Sequence, residues 1–337
     1  MMRRPPGRVK PRQAASSRTA FGILPPVHVT LIFNPISGVQ DTQNRLSAIH
    51  AGCRELGVDY ELLILSPERP IGWAVERVLR RPPERVWVYG GDGTVTAVGS
   101  ALLDSGIPLA ILPGGTANAI ARSVGVPARL PEAVKFAAEE TPRPFDAVRV
   151  NGRISLLTAG AGYDSAVIAT AEGELKRRFG ILAYIYAALK QLGSSEATVF
   201  EIEIDGAPPE HFAGHCLLLA NIGKIFGEFD LLPEARPDDA RMDVAVLTLG
   251  DLADLLSLSG HVLQGTQKDN PGIRFLTGTK VEVRFGRPLR TEVDGDVAGI
   301  TDHFSAEVLA GALALVRNET GRRGLKLPLW VPAPARS

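Results

Sequence analysis

The chain has 337 residues, 45% apolar and 22% charged, with 37 basic and 37 acidic side chains and a formal net charge of zero. That size and balance suit two ordinary domains, each with its own core, and exclude the strongly basic composition of an indiscriminate nucleic-acid binder. The even sum hides a local excess, because Arg3, Arg4, Arg8, Lys10, Arg12 and Arg18 all precede the first acidic residue, Asp41. Interspersed with Pro5, Pro6 and Pro11, residues 1–24 read as a disordered basic arm. The arm is either a solvated tail or a weak anchor to anionic lipid, where each basic residue near the surface contributes roughly 1 kcal/mol. It lacks the apolar centre of a secretory signal. No 18-residue apolar run follows, and the longest stretch, "FGILAYIYAAL" (179–189), is about half a membrane span. A cytoplasmic or peripherally membrane-associated protein is expected. Cys53 and Cys216 are isolated thiols without C-x-x-C spacing, consistent with a reducing compartment and with no role in chemistry.

In chain order, "VHVTLIF" (27–33) reads as a buried strand and 44–57 as a helix, followed by a strand over 58–65 and a helix over 71–81. "ERVWVY" (84–89) is a third strand leading through "GGDGT" (90–94) into a helix from about 95 to 103. "IPLAILP" (107–113) is a fourth, leading through "GGT" (114–116) into a helix over 117–125. Strands alternating with helices of this length predict an α/β layer with a parallel sheet, whose ligands sit at the carboxyl ends of the strands. Near residue 145 the texture changes. Asn151-Gly152 between two β-like runs is a hairpin signal, and a helical stretch follows over about 165–193. Further β runs come at 197–204, 212–220, 243–249, 280–285 and 289–293, with a helical segment around 251–264. This half reads as an antiparallel β-sandwich. The expected division is an α/β nucleotide domain (25–144), a β-sandwich substrate domain (145–300), a segment returning to the first domain (301–320) and an irregular tail (321–337).

Three small or Gly-rich turns, "NPISG" (34–38), "GGDGT" and "GGT", end three predicted parallel strands and so converge on one sheet edge. Neither G-x-G-x-x-G nor the P-loop pattern G-x-x-x-x-G-K-[ST] is met, and a lone Asp92 among phosphates would repel them. Asp92 makes sense if a divalent cation intervenes, or if it faces an attacking hydroxyl in phosphoryl transfer. A structural Asp-Gly turn is the alternative. Two acidic clusters of the second half, "EARPDDARMD" (234–243) and "TEVDGDVAG" (291–299), are the candidate partners. The pair His211/His215 in "HFAGH" sits in a predicted strand, where i, i+4 spacing does not make a metal pair.

In order along the chain, "NPISG", "GGDGTVTAV", "LPGGTANAIAR", "AGAGYDSAV", "PEARPDDARMDV" and "TEVDGD" resemble the diacylglycerol-kinase catalytic family. That superfamily takes in bacterial soluble lipid kinases and sphingosine kinases, with NAD kinases as distant kin. The resemblance covers about residues 27–316. It implies an α/β domain with a parallel sheet of the NAD kinase/diacylglycerol kinase type, a C-terminal antiparallel β-sandwich, and a site between them that uses ATP and Mg²⁺. By position, Asn34, Ser37 and Gly38 match the turn that contacts nucleotide. Gly90, Gly91, Asp92, Gly93 and Thr94 match the loop around the ATP phosphates, and Gly115, Thr116 and Asn118 the second phosphate turn. Asp239 matches an acidic position near a structural Mg²⁺. Asp294-Gly295-Asp296 matches the family's Asp-Gly-Glu near the transferred phosphate, with Asp294 and Gly295 toward the nucleotide, Asp294 a further candidate for Mg²⁺ and the final acid a proposed general base. Three positions depart from the pattern: Asp296 stands for Glu, Ala240 for the Gly after Asp238-Asp239, and Ala119 for an Asp common in bacterial members. If the turn at 240 needs a positive φ, alanine is disfavoured there.

These readings lead to an ATP-dependent lipid kinase that phosphorylates a diacylglycerol-like or sphingoid-like hydroxyl at a membrane surface. Asp296 is the expected base and Asp92 its rival. The candidate apolar wall for the acyl chains is the helical stretch with Tyr163, Ile168, Ile181, Leu182, Tyr184 and Ile185, with ordinary core packing at helical spacing as the alternative, and Asp164 is the candidate contact to the lipid head group. No nucleic-acid partner is expected, and a homodimer stays open. The competing readings are an NAD kinase or other small-alcohol kinase, and a catalytically silent lipid- or nucleotide-binding regulator.

Overall fold

The computed structural model describes residues 28–38, 41–162, 196–226, 229–248 and 252–318. The N-terminal half begins with β1 (His28–Phe33), α1 (Thr42–Leu56), β2 (Asp59–Ile64) and α2 (Ile71–Arg80). It continues with β3 (Arg85–Gly90), α3 (Asp92–Ala101), β4 (Leu109–Pro113), α4 (Ala119–Ser123) and α5 (Leu130–Glu139). Strands β2, β1, β3 and β4 lie side by side in that order and run parallel. The inner three of this row, β1, β3 and β4, are nearly continuous buried runs, as a sheet covered on both faces requires. Trp87, Phe33, Leu31 and Ile49 are fully buried in the core.

Helix boundaries follow local chemistry. Asp41 caps α1 by accepting from the Gln43 N–H at 3.0 Å, and Gly57, at φ 66°, closes its far end. Helix α5, absent from the sequence reading, carries Leu130, Ala133, Val134 and Ala137 at i, i+3, i+4 and i+7 and buries all four. The Arg85 guanidinium ends this helix, donating from Nη1 to the carbonyls of Ala137, Ala138 and Glu140 at 2.7, 3.3 and 2.9 Å. Burial lowers the pKa of Arg85, so the charge is held by those carbonyls rather than by water.

The second half is antiparallel: β5 (Pro142–Val150), β6 (Arg153–Ser155), β7 (Thr158–Ala161), β8 (Thr198–Ile204), β9 (Glu210–Gly214) and β10 (Cys216–Ala220). Then come β11 (Lys224–Phe226), β12 (Phe229–Asp230), β13 (Met242–Leu247), α6 (Leu252–Gln264), β14 (Ile273–Gly278), β15 (Lys280–Val293) and β16 (Asp296–Val316). The molecule is therefore an N-terminal α/β domain with parallel strands followed by an antiparallel β domain.

The stretch read as one strand over 212–220 is two. Strand β9 pairs with β8, whereas β10 pairs with β7 and β13. The chain turns the corner at Gly214-His215, where a Cβ on Gly214 would lie 2.6 Å from the Val246 side chain. The runs at 280–285 and 289–293 form the single strand β15, irregular between Arg284 and Leu289. Strand β16 joins the two halves. It leaves the hairpin tip beside β15, lies against β5 as far as Val316, and reaches the parallel sheet where Leu315 pairs with Leu109 of β4. Its register against β5 shifts between Leu309 and Leu313, around Gly311 at φ 57°.

Candidate active site

The carboxyl ends of β1, β3 and β4 carry the three turns, and the turns touch. The Asn34 N–H donates to the Tyr89 carbonyl at 3.0 Å, and its Nδ2 donates to Thr94 Oγ1 at 2.8 Å. The Gly114 N–H donates to the Gly90 carbonyl at 2.9 Å. Gly38, at φ 81°, approaches so closely that a Cβ there would collide with the Gly114 carbonyl oxygen. A Cβ on Gly115 would lie 2.6 Å from the Gly91 Cα, so these two backbones pack directly on each other. Ser37 closes the first turn through its N–H to the Asn34 carbonyl at 3.3 Å, and Thr116 sits exposed at the tip of the third. Asn118, at φ 46°, is spent within its own turn: Oδ1 accepts from the Gly115 N–H at 2.8 Å and Nδ2 donates to the Gly115 carbonyl at 2.7 Å.

Helix α3 starts at Asp92, three residues earlier than the sequence reading placed it, because the N–H groups of Thr94 and Val95 both reach the Gly91 carbonyl. Asp92 Oδ1 accepts from the Ile120 N–H at 2.9 Å and so caps α4 from across the site. Its Oδ2 has no hydrogen bond among the described residues. Thr94 is buried, while Gly93 is exposed on the outer side of the turn.

The second half approaches through the β15–β16 hairpin. Val293 pairs with Asp296 across Asp294-Gly295, whose φ values of 52° and 87° define a two-residue turn of the I′ type. Asp294 points inward. Its Oδ1 accepts from Ser155 Oγ at 2.5 Å and from the N–H groups of Leu157 and Thr158 at 3.0 and 3.1 Å. Its Oδ2 accepts from Thr96 Oγ1 at 2.8 Å and the Leu156 N–H at 2.9 Å. Thr96 lies one helical turn beyond Asp92, on the same face of α3. The Asp92 loop and the Asp294–Asp296 hairpin therefore face each other. Asp296 is exposed, as are Val297 and Ile300 beyond it, the last at 75%.

Two groups escaped the sequence reading. Asp146, 2% exposed, accepts from the N–H groups of Gly311 at 2.6 Å and Ala240 at 2.8 Å, tying β5 to the bulge of β16 and to the acidic turn. Its burial sits in "PRPFDAVRV", where an acid interrupts an apolar strand; that was the available signal. Arg45, one turn into α1, has a buried Nε without a hydrogen-bond partner among the described residues. Its charge partly offsets the burial that raises the pKa of the Tyr89 phenol. The Tyr89 ring lies against Gly114 of the third turn and stacks on Phe33 at 4.4 Å.

The acidic turn at 238–240 is tied to Asp146, which accepts from the Ala240 N–H. Ala240 adopts φ 61°, the left-handed conformation in which alanine is disfavoured, and Asp239 accepts from the Arg241 N–H at 3.1 Å. Burial raises the pKa of Asp239, with a contribution from Asp146. Burial, then the charges of Asp239 and Glu234, pushes Asp243 up to about 6. Asp238 is held below the usual carboxylate range by Arg317, at 2.6 Å, and Arg236, which outweigh its burial. Among the described residues no group of three or more His, Cys, Asp or Glu side chains is arranged to hold a metal ion. The expected wall from Tyr163 to Ile185, and Asp164 with it, lies outside the described residues. Both cysteine thiols are buried, with the Cys53 pKa raised to about 11 and that of Cys216 higher still.

Two solved structures share this architecture. A diacylglycerol kinase from Bacillus anthracis str. Sterne matches with a TM-score of 0.69 over 87% of this chain and 97% of its own, at 22% identity. Yeast NADH kinase complexed with NADH matches with a TM-score of 0.50 over 93% and 90%, at 11% identity. The chain thus has the two-domain fold of these small-molecule kinases. Residues 28–150 match the family model of the diacylglycerol kinase catalytic domain, and residues 158–317 that of the YegS C-terminal NAD kinase beta sandwich-like domain. The chain belongs to the diacylglycerol kinase catalytic-domain family, as its six motifs indicated. It is 26% identical to a diacylglycerol kinase of Bacillus subtilis strain 168, over 80% of this chain and 90% of that protein. It is 31% identical to a Pseudomonas aeruginosa PAO1 protein named "Probable lipid kinase YegS-like", over 68% and 76%. It spans 66% of an uncharacterized Synechocystis protein, at 28% identity. No helix among the described residues is long and apolar enough to cross a membrane.

Proposed function

We propose that the protein is an ATP-dependent lipid kinase that transfers the γ-phosphate to a lipid hydroxyl. The observation that supports this reading is the bond between the helix that begins with Asp92 and the hairpin that carries Asp296. Asp92 and Thr96 share one face of α3, and Thr96 bonds to Asp294, two residues before the exposed Asp296.

ATP fits the turns. The first turn of α3 leaves the N–H groups of Asp92 and Gly93 to a ligand, since the Gly91 carbonyl takes those of Thr94 and Val95, and its positive dipole end suits phosphate. The buried Arg45 Nε, without a hydrogen-bond partner among the described residues, is a donor that an anion beside Tyr89 would satisfy. When bound, Mg·ATP supplies the phosphoryl group and a cation that offsets the charge at Asp92. Catalysis by this chain would then be chiefly positioning. The packed glycine turns would hold the triphosphate, Asp92 would serve the cation or the incoming hydroxyl, and Asp296 would take the hydroxyl proton. The side chain of Asp296 is one methylene shorter than the family's Glu, so the acceptor must approach correspondingly closer. Val297 and Ile300, exposed just past Asp296, favour an acceptor presented at a lipid surface over a soluble dinucleotide, and with it a peripheral attachment to the membrane.

The test is ATP-dependent phosphorylation of diacylglycerol, a sphingoid base, ceramide and phosphatidylglycerol in mixed micelles, with NAD as a further acceptor. Phosphorylation of one lipid is expected, with kcat lowered at least about 100-fold in Asp92→Asn and in Asp296→Asn. Phosphorylation of NAD and no lipid would overturn the reading. Wild-type turnover in both variants would remove these carboxylates from the reaction.

A further inference from the structure

Asp294 has the sequence context of a nucleotide or metal ligand, but its surroundings give its carboxylate another task. A carboxylate offers about four lone-pair sites. Here the two oxygens already accept five hydrogen bonds of 2.5–3.1 Å, three from consecutive backbone N–H groups at Leu156, Leu157 and Thr158. The contact is reciprocal, because the Asp294 N–H itself donates to the Thr158 carbonyl at 2.8 Å. Ser155, another donor, is 1% exposed. A cation or phosphate entering this position would have to displace donors that the surrounding backbone cannot satisfy elsewhere.

Of the five donors, four come from the consecutive residues 155–158, from the end of β6 to the start of β7, and one, Thr96, from the helix that begins with Asp92. We propose that Asp294 is a positioning residue: a latch that fixes the hairpin bearing Asp296 against the helix bearing Asp92, and so sets the spacing of the two acids across the reacting phosphate. The inference rests on the kinase reading above, with Asp92 and Asp296 on either side of the transfer. The turn suits the role. Asp294 holds φ 52° and Gly295 φ 87°, a hairpin geometry with little freedom of its own. The position of Asp296 therefore follows that of the Asp294 carboxylate.

Asp294→Asn places amide N–H groups against backbone N–H groups and risks misfolding, so the informative variants are at Thr96. Thr96→Val keeps the shape of the side chain and removes only the bond from α3, whereas Thr96→Ser keeps the hydroxyl. The expected result for Thr96→Val is a fall in kcat of about tenfold, since small misplacement of reacting groups is costly. KM for ATP should stay within about twofold, and Tm within about 2 °C because four bonds remain. Thr96→Ser should restore kcat. A purely structural contact would instead lower Tm and leave kcat in place. A ligand site would raise KM for ATP about tenfold with kcat held, since the lost interaction would then be uniform binding; either outcome overturns the proposal. Hydrogen–deuterium exchange over residues 294–298 of the ligand-free protein reads the latch without turnover. Exchange should be faster in Thr96→Val and unchanged in Thr96→Ser. Equal exchange in Thr96→Val and wild type overturns the latch. Failure of the wild type to phosphorylate any lipid counts against the kinase reading, and exchange still decides the latch.

Discussion

Replacing Ala240 by glycine should stabilise the protein, against the usual direction of an alanine-to-glycine change. Ala240 holds φ 61° in the turn after Asp238-Asp239, where an L side chain crowds its own carbonyl at a cost of roughly 1–2 kcal/mol. The turn cannot relax out of this conformation cheaply, because the Ala240 N–H donates to the buried Asp146 carboxylate at 2.8 Å, and the other oxygen of that group holds the Gly311 bulge at 2.6 Å. Glycine removes the crowding but gives the unfolded chain more freedom, worth about 0.4–1 kcal/mol in the opposite sense. Little packing is lost with the methyl, since Ala240 is half-buried. The net expectation is a gain of about 0.5–1 kcal/mol, or about 1–3 °C in Tm. Urea denaturation of Ala240→Gly beside wild type measures it, with the m-value held as a check that only stability changed. A variant equal to or less stable than wild type would refute the reasoning, because it would mean that the turn does not impose a positive φ on residue 240 in solution.

Asp243→Asn should make stability less dependent on pH. With the folded pKa near 6 against an ordinary 3.8, the unfolded chain releases the proton first, so wild type loses stability as pH rises from about 4 to 6 and keeps the deficit above that. A two-unit shift corresponds to roughly 3 kcal/mol, reduced to about 1–2 for a partly exposed group. The variant should therefore match wild type at pH 4 and exceed it at pH 7, and a difference that is the same at both pH values would contradict the assignment. Arg45→Met should raise KM for ATP about tenfold, the worth of one charge-assisted hydrogen bond. Tm should hold or rise, because a buried donor without a partner among the described residues is removed; a lowered Tm with KM unchanged would make Arg45 structural. Arg85→Met should cost about 2 kcal/mol, since it exposes three carbonyls at the end of α5 and removes a cation from the negative end of the helix. Thermal denaturation reads it, and a loss under about 0.5 kcal/mol would show that water replaces the guanidinium at no cost.

The parallel sheet and the convergence of its turns were legible because the signals are local. Alternating strands and helices fix the layer, and the glycines at 38, 91 and 115 announce backbones that must touch. The Asn151-Gly152 hairpin was legible for the same reason: its φ values of 46° and 81° are those its dipeptide calls for. The two strands over 210–220 were not, because what separates them is a change of partner. Strand β16 was hidden by its own composition. Its alanines and glycines are weak strand formers, and only the tertiary slots beside β5 and β4 make them extended.

Asp294 is the sharpest case. Asp294-Gly295 carries the same turn signal as Asn151-Gly152, yet an acid among phosphate turns reads first as a ligand. The donors that enclose its carboxylate lie 136 to 198 residues away in sequence, at Thr158 and Thr96. No local pattern contains them. Two acids separated by one glycine thus face different surroundings: Asp294 is enclosed by five donors, while Asp296, past the turn, is exposed. What separates their surroundings is which side of a two-residue turn each occupies, since the chemistry of the carboxyl group is identical in both.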